Sequence, residues 1–362
     1  MTSDDDVNVA GQRALVMGAS GNVGACVARH LATGGADVRV LLRKSSSTKG
    51  IDGVDVERTI GDPFDPATAA AAMADRDVVY YCIVDTRAEL KDPAPLFETN
   101  VEGLRKVLDV AAAANLKRFV FLSTIGTIAV GENGETVDED TPFNWADRAG
   151  GYIESRRAAE RLVLSYAAER GVPAVVVNVS NPYGPPDFQP RQGMFVQLAA
   201  LGRLPFYVRG VGAEVVGIDD AADAMLRASL RGRVGERYIA SERFMTHREL
   251  LTTAADAVGA RRPRFGIPMA VLYGFARLAD AVGSILPVQV PMSRQSAFLL
   301  AHTSPASHAK ATRELGWHPK PTEHFIARAA ENYVQRAGVS RPNTSRGAGG
   351  SARIAGSTNV CT

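Results

Sequence analysis

The chain has 362 residues, of which 46% are hydrophobic and 22% charged, a balance typical of a globular protein with a substantial core. Its 41 basic and 39 acidic side chains leave a net charge of +2, so composition favours neither a nucleic-acid surface nor attachment to an anionic membrane. The three cysteines are too few for a disulfide framework, and Asp4-Asp5-Asp6 stand where a secretory signal would be basic and then apolar. We therefore expect a cytoplasmic protein.

Strand-like apolar runs alternate with helical segments through the first half of the chain. The predicted strands are residues 13–18, 37–43, 54–60, 77–83, 117–123 and 173–179. A helix is expected to end near Thr33, longer ones to span 96–114 and 151–170, and another to begin at Pro66 with Asp65 as its cap. This alternation predicts a Rossmann-type, doubly wound parallel α/β sheet.

The alternation stops after Gly184, where turn residues give way to a mostly helical pattern with one late strand at 236–240. We expect a smaller, mostly helical substrate lobe beside the carboxyl ends of the strands. Both termini lack periodicity and are predicted to be disordered. The predicted divisions are 1–10 for the disordered N-terminus, 11–184 with about 211–240 for the Rossmann-type domain, 185–210 with 241–336 for the lobe, and 337–362 for the tail.

The apolar stretch at 267–290 is interrupted by charges, Gly283 and Pro287, so it is not expected to span a membrane. A helix packed on the lobe is the simpler interpretation. Peripheral contact with a membrane surface is the alternative, because one face would carry an apolar stripe. That stripe would consist of Leu272, Phe275, Ala276 and Leu278.

A glycine-rich turn, Gly18-Ala19-Ser20-Gly21-Asn22-Val23-Gly24, follows the first strand and opens a helix. Gly18 permits a sharp exit from the strand, Gly21 lets a pyrophosphate approach the backbone, and Gly24 lets the helix pack on the sheet. The helix directs its free N–H groups and the positive end of its dipole at the anion. In this position the spacing predicts a dinucleotide-binding site.

The second strand ends in Arg43-Lys44-Ser45, without the carboxylate that accepts the ribose hydroxyls in NAD-selective sites. Arg43, supported by Lys44 and Ser45, offers donors for a 2′-phosphate instead. The sequence therefore predicts NADP in preference to NAD.

Several further segments carry residues in a recognisable order. They are Gly61-Asp62 with Asp65, Asn100-Val101-Glu102-Gly103, Ser123-Thr124, Tyr152-x-x-Ser155-x-x-x-Ala159-Glu160, Asn181-Pro182-Tyr183-Gly184-Pro185, Ile218-Asp219-Asp220 and Glu314-Leu315-Gly316-Trp317-x-Pro319. With the glycine loop they resemble the extended short-chain dehydrogenase/reductase superfamily, of the NAD-dependent epimerase/dehydratase type, over about residues 11–335. Residues 123–127 are most similar to the branch of dihydroflavonol reductases and 3β-hydroxysteroid dehydrogenases.

The resemblance implies that Tyr152 is the acid/base and that Thr124 hydrogen-bonds the carbonyl oxygen, with Ser123 as the alternative if the register shifts by one. It also implies that Asp62 contacts the adenine and that two copies pair through helices 96–114 and 151–170. The residues expected to bind the cofactor are Gly18, Ser20, Gly21, Asn22, Val23, Gly24, Arg43, Lys44, Asp62, Pro63, Cys82, Ile83, Asn100, Ser123, Tyr152, Arg156, Val179 and Pro182.

Arg156 stands where the superfamily has a catalytic lysine, four residues after the tyrosine. Arginine keeps the positive charge, which favours tyrosinate and should lower the Tyr152 pKa, but it does not release a proton. Asn178-Val179 likewise replaces the Arg-Pro that the resemblance leads us to expect. Two interpretations stay open: an enzyme that works with Arg156, and an altered site that binds NADP without turnover.

Other polar residues are weaker candidates. No metal site is expected, since the six histidines show no ligand spacing and His30 and His247 fit helix-surface or cap positions. Asp219 or Asp220 is expected to cap the helix 221–230. Asp85-Thr86-Arg87 follows the fourth strand, where it is a candidate for substrate contact.

The predicted activity is interconversion of a ketone and a secondary alcohol on a small, hydrophobic, ring-bearing substrate. One alternative is an epimerase or dehydratase that acts on a sugar-type substrate and returns the hydride to the same molecule. Another is an NADP-binding sensor or scaffold without catalysis.

Overall fold

The computed structural model describes residues 7–185, 190–285 and 294–338. Its centre is a seven-stranded parallel sheet with the strand order β10-β6-β5-β4-β1-β2-β3. The strands are β1 Arg13–Met17, β2 Asp37–Leu42, β3 Glu57–Ile60, β4 Val78–Tyr81, β5 Arg118–Thr124, β6 Ala174–Val179, β7 Asn181–Tyr183, β8 Phe206–Val208, β9 Gly212–Gly217, β10 Arg237–Ala240, β11 Arg243–Thr246 and β12 Phe265–Ile267. The helices are α1 Asn22–Thr33, α2 Pro66–Met73, α3 Ala94–Phe97, α4 Leu104–Ala113, α5 Gly150–Glu169, α6 Pro190–Ala200, α7 Ile218–Arg231, α8 His247–Ala257, α9 Met269–Ile285, α10 Arg294–Ala301, α11 Ala309–Leu315 and α12 Thr322–Arg336.

The central sheet is covered on both faces, which confirms the predicted doubly wound α/β fold. Every residue of β4 and β6 is buried, as expected for apolar strands between two helical layers. Helices α1 and α7 contribute to the core on one face, and α4 and α5 to the core on the other. Since all seven strands run parallel, their carboxyl ends meet at one edge, where such sheets bind ligands.

The cap of α2 agrees with the prediction, because the Asp65 carboxylate accepts a hydrogen bond from the Thr68 N–H at 2.9 Å. The single helix predicted at 96–114 is instead α3, a π-helical turn at Glu98–Gly103, and α4. A Cβ on Gly103 would lie 2.7 Å from the Phe64 ring, so this turn packs tightly against the loop after β3.

The prediction of one late strand is wrong for the described residues. Two small sheets follow the Rossmann strands, one with the order β11-β9-β7 and the other pairing β12 with β8. Their strands have three to six residues and pair with partners far along the chain, so local periodicity gives little sign of them. They lie beside an apolar cluster to which α6, α8 and α12 contribute.

The predicted disordered ends fall mostly outside the described residues, namely 1–6 and 339–362. Residues 7–10 differ from the expectation, because Val9 is buried in the core and its carbonyl accepts the Gln12 N–H at 3.0 Å. The buried Val9 side chain thus attaches residues 7–10 to the core, although their composition favoured disorder.

The apolar stretch forms α9, whose Leu272 and Ala276 are buried against Val208 and Ala297. This packing supports the simpler interpretation, a helix on the lobe. Phe275 is nevertheless 62% exposed, while residues 286–290 and the Leu278 side chain lie outside the described part. Among the described residues, the search for a helix long and apolar enough to cross a membrane found none.

Candidate active site

A cleft lies at the carboxyl ends of β1, β4, β5 and β6, and most of the predicted site residues line it. Those are Gly18, Ser20, Gly21, Asn22, Val23, Gly24, Arg43, Pro63, Cys82, Ile83, Ser123, Thr124, Tyr152, Arg156, Val179 and Pro182. Thr86 and Ser180, from two segments expected near the cleft, line it as well, and so do residues that the sequence did not indicate, Leu41, Ser46, Phe64, Val84, Thr99 and Leu122. Lys44, Asp62 and Asn100 are not among the lining residues.

The glycine loop forms one end of the cleft. Gly18 has φ +96°, and a Cβ there would lie 2.6 Å from the Cys82 carbonyl carbon. A Cβ on Gly24 would lie 2.3 Å from the Gly18 oxygen, whereas one on Gly21 would meet that oxygen at an ordinary 3.5 Å. Gly18 and Gly24 are therefore required by the protein's own packing. Gly21 leaves space on the cleft side, which fits the approach of a diphosphate to the backbone.

Helix α1 begins in this loop with Gly21 as its N-cap and no side chain capping it. The N–H groups of the first turn have no acceptor within the helix, and the positive end of the helix dipole lies at the same place. The loop and the helix thus fit a bound anion such as the diphosphate of a dinucleotide.

The adenosine side of the cleft is formed by Arg43, Ser46, Pro63 and Phe64. Arg43 and Ser46 belong to one tight turn, in which the Ser46 hydroxyl accepts the Arg43 N–H at 3.1 Å. Lys44 is exposed and does not line the cleft.

Asp62 and Asn100 have hydrogen bonds within the protein, and their expected contacts with the cofactor stay predictions. Asp62 accepts the Phe64 N–H at 3.0 Å and so shapes the turn that carries Pro63 and Phe64 into the cleft. Asn100 is buried, accepts the Asp85 N–H at 2.8 Å and donates to the Ser155 hydroxyl at 3.0 Å. It thereby ties the loop after β4 to α5.

Tyr152 and Thr124 meet at the other end of the cleft, as predicted from their order in the chain. Tyr152 lies in the first turn of α5, Thr124 is the last residue of β5, and their side chains are neighbours in the cleft. Burial raises the Tyr152 pKa above its usual value, while Arg156 and the Thr124 hydroxyl lower it and Asp85 raises it further. Arg156 lowers the Tyr152 pKa as expected, but desolvation of the phenolate outweighs the attraction of the guanidinium, so the pKa lies above its ordinary value.

Arg156 is 1% exposed and packs under the cleft against β5. One terminal nitrogen donates to the Leu122 carbonyl, and the guanidinium carbon lies 5.0 Å from the centre of the Phe121 ring. Nε and Nη1 have no hydrogen-bond partner among the described residues. Burial lowers the Arg156 pKa, which the nearby Tyr152, Tyr81 and Glu160 raise. These two nitrogens could donate hydrogen bonds to a ligand in the cleft. The resemblance implies that the residue at this position binds the hydroxyls of the cofactor ribose, and the unpartnered nitrogens fit that role.

Glu160 lies within the recognised helix motif, but nothing in the sequence indicated the buried network that it forms beneath the cleft. Its buried carboxylate accepts hydrogen bonds from the Ser123 hydroxyl and, at 2.7 Å, from the Asn178 amide, and it pairs with Arg237 at 3.1 Å. The Thr127 hydroxyl lies 2.7 Å from the same carboxylate oxygen. Ser123 is therefore engaged below the cleft, which leaves Thr124 as the hydroxyl beside Tyr152. Asn178, which replaces the expected arginine, is a member of this network.

The weaker candidates occupy other positions. Asp85 and Arg87 form an ion pair with each other, and only Thr86 of that segment lines the cleft. The predicted cap of α7 is wrong, because the helix begins earlier, at Ile218, with Gly217 as its N-cap. His247 is buried, not at the surface, and its Nδ1 accepts the Val208 N–H at 3.0 Å. Burial lowers the His247 pKa to about 4.

Comparisons with known proteins agree on one family. The model of the NAD dependent epimerase/dehydratase family matches residues 14–240. Sterol demethylase protein B of Methylococcus capsulatus is 29% identical over 89% of this chain and 98% of its own length. A putative dihydroflavonol 4-reductase of Synechocystis sp. is 28% identical over 83% of this chain and 89% of its own. The crystal structure of gox2253 superposes with a TM-score of 0.78 at 29% identity, covering 91% of this chain and 99% of that one.

Proposed function

The chain belongs to the NAD dependent epimerase/dehydratase family, an NAD(P)-dependent group of enzymes, and we propose that it is an NADP-dependent reductase of hydrophobic ring ketones. The family predicted from the sequence is thereby confirmed. One observation carries the proposal of carbonyl chemistry: the neighbouring hydroxyl groups of Thr124 and Tyr152 lie in the same cleft as the glycine loop. A phenol and a hydroxyl in contact supply the proton donor and the oxygen-binding group that carbonyl reduction needs.

Thr124, Tyr152 and Arg156 have separate roles in the proposed reaction. When bound, the nicotinamide cofactor supplies the hydride or accepts it. Thr124 donates a hydrogen bond to the carbonyl oxygen and holds it beside the Tyr152 hydroxyl, which gives that oxygen its proton. Since burial raises the Tyr152 pKa, the phenol is protonated at neutral pH, which suits the direction of ketone reduction. Arg156 holds the cofactor ribose from below.

The preference for NADP rests on Arg43 and Ser46. Both line the adenosine side of the cleft, where a guanidinium and a hydroxyl are suited to a 2′-phosphate. No residue of β2 after Asp37 is acidic, so the strand offers no carboxylate at its end to accept the ribose hydroxyls or repel the phosphate.

The proposed substrate class follows from the relatives and from the lobe. The names of the two relatives refer to a sterol and to a dihydroflavonol, both of them hydrophobic ring compounds. The lobe beside the cleft has an apolar cluster to which α6 contributes Val196, with Phe195 packed against it. We infer that a ring ketone of this kind, and not a sugar nucleotide, is the substrate.

Cofactor titration tests the first part of the proposal. Tryptophan fluorescence or calorimetry should show tighter binding of NADPH than of NADH. The Arg43→Ala variant should weaken NADPH binding by about tenfold, the effect of one charge-assisted contact, and leave NADH binding unchanged. Lys44→Ala is the matched control and should bind both as the unmodified protein does. Equal affinity for NADH and NADPH would overturn the NADP assignment.

Turnover with a panel of steroid, flavanone and other cyclic ketones tests the second part. We expect one NADPH consumed for each alcohol formed. The family name supports one other activity, an epimerase or dehydratase that returns the hydride to the same molecule. Conversion of a nucleotide sugar without net NADPH consumption would favour that activity and contradict the reductase.

A further inference from the structure

Helices α1 and α7 pack on each other and bring together three metal-binding side chains that the proposed reaction does not use. Cys26 and His30 lie one turn apart on α1, and Asp219 lies in the first turn of α7. The Asp219 Oδ1 atom is 3.3 Å from the Cys26 sulfur and 3.3 Å from the His30 Nε2. All three donor atoms lie within 4.8 Å of one another.

The donor set and its dimensions fit a zinc ion. Zn²⁺ takes thiolate sulfur at about 2.3 Å and imidazole nitrogen and carboxylate oxygen at about 2.0–2.2 Å, in tetrahedral sites. Donor atoms around such an ion are about 3.3–3.6 Å apart. The distances from the Asp219 Oδ1 atom to the Cys26 sulfur and to the His30 Nε2 are already 3.3 Å. Side-chain rotations that move the donor atoms by about 1 Å or less would therefore complete the zinc coordination.

A fourth residue orients the carboxylate. Arg328 of α12 pairs with the other oxygen of Asp219, Oδ2, at 3.3 Å. This leaves Oδ1 directed at both Cys26 and His30. Hydrogen bonding of the non-ligating oxygen of a carboxylate is the usual way in which metal sites fix a ligand.

Two of the three side chains are partly exposed, which leaves room for one further ligand. The Cys26 thiol is buried, whereas the side chains of His30 and Asp219 are 36% and 33% exposed. Solvent can therefore reach the open side of the cluster and provide a water molecule. Three protein ligands with a water is a common zinc coordination.

We propose that Cys26, His30 and Asp219 bind one Zn²⁺ ion, with water as the fourth ligand. On binding, the Cys26 thiol releases its proton to solvent and ligates as thiolate, and neutral His30 ligates through Nε2. The ion would clamp α1, the helix that begins at the diphosphate loop, to α7. Asp219 is 193 residues from Cys26 in the chain, which is why ligand spacing in the sequence did not indicate the site.

Equilibrium dialysis of the metal-stripped full chain against Zn²⁺ alone tests the proposal. We expect one zinc per chain, and at least about tenfold weaker binding in Cys26→Ala and in His30→Gln, as for loss of one ligand. Matched controls are Cys361→Ser and His318→Gln, an exposed histidine elsewhere, and both should bind as the unmodified chain does. NADPH titration and circular dichroism of each variant check that it folds.

Cobalt identifies the ligands directly. Co²⁺ should give a thiolate charge-transfer band and the intense visible bands of a tetrahedral site, both lost in Cys26→Ala. Zinc should also raise the melting temperature of the unmodified chain and not that of the two ligand variants. No stoichiometric zinc binding, or binding that survives in Cys26→Ala and His30→Gln, would overturn the proposal. Loss of binding in Cys361→Ser alone would overturn it as well, because it would place the ion elsewhere.

Discussion

One end of the cleft is formed mainly by backbone and the other mainly by polar side chains. At the diphosphate end the chain uses backbone: Gly18 and Gly24 let a strand, a loop and a helix approach within distances that no Cβ would allow. At the proposed nicotinamide end it uses polar side chains, with Tyr152 and Thr124 partly buried in the cleft, Arg156 buried against β5, and buried Glu160 accepting a hydrogen bond from Ser123. The structure of the first end depends on close packing of the backbone. The properties of the second end depend on the balance between the cost of burying polar groups and the attraction between their charges.

This difference matters for how each end tolerates change. A backbone site is lost when an added atom does not fit, so stability and cofactor binding fall together wherever the added Cβ would meet the protein's own atoms. A buried polar network responds to each charge separately, and stability and activity can move in opposite directions there. Four sets of substitutions test this contrast.

Tyr152→Phe should have the largest effect. Removing the hydroxyl removes the proton donor, so kcat for ketone reduction should fall by about 10²–10⁴, the usual contribution of general acid catalysis. NADPH affinity should change little. Because the Tyr152 pKa is raised, reduction by the unmodified enzyme should be flat near neutral pH and decline only as pH rises through that pKa. Steady-state rates against pH measure both effects, and an unchanged kcat would remove Tyr152 from the mechanism.

Glu160→Gln should have the next largest effect, on stability. The carboxylate accepts from Ser123 and Asn178 and pairs with Arg237, and an amide group cannot replace all three contacts. Loss of hydrogen bonds to a buried charge should lower the free energy of unfolding by about 2 kcal/mol. Urea denaturation gives the value. Glu154→Gln, an exposed position on the same helix, is the control, and equal stability of the two variants would show that the network contributes nothing.

Gly24→Ala and Gly21→Ala form a matched pair at the diphosphate end. A Cβ added at position 24 would lie 2.3 Å from the Gly18 oxygen, so overpacking should lower the free energy of unfolding by about 1–3 kcal/mol and weaken NADPH binding. A Cβ at position 21 has room in the protein alone and should weaken NADPH binding without lowering the melting temperature. Thermal denaturation and titration separate the two. The contrast between the two ends fails if both variants are equally stable.

Arg156→Met should have the smallest effect on stability, and one of opposite sign. The guanidinium is buried with two unpartnered nitrogens, so an apolar side chain of similar length should raise the free energy of unfolding of the cofactor-free protein by about 1 kcal/mol. Activity should fall, and the Tyr152 pKa should rise further because the positive charge that lowers it is gone. Arg156→Lys keeps that charge and serves as the control. A less stable Arg156→Met variant would contradict this account.

Much of the site was predictable because it is encoded locally. The glycine loop, the Asp65 cap and the order of Thr124 and Tyr152 depend on residues that are neighbours in the chain or on strands that end at one edge. Asp62 and Asn100 were assigned to the cofactor by resemblance alone, and only the tertiary structure shows that they also hydrogen-bond to nearby backbone and side chains. Lys44 was expected to follow Arg43, but adjacent residues at a strand exit point in different directions.

Other features depend on contacts between distant segments. The strands of the small sheets form through long-range pairing, and His247 is buried because Val208 packs over it. The Glu160 network joins β5, β6, α5 and β10, so no single segment of sequence displays it. The same holds for Cys26, His30 and Asp219.

The sequence by itself determined the doubly wound sheet and the glycine loop at its edge, because hydrophobic periodicity and glycine spacing act over a few residues. The roles of Tyr152 and Thr124 came from the resemblance to the superfamily and stay a proposal. Only the tertiary structure decided how strongly each polar group is desolvated and which nearby charges offset the cost of that desolvation. The Tyr152 pKa shows the physical reason: the cost of burying a phenolate and the attraction of Arg156 have opposite signs, and their balance depends on the packing around them.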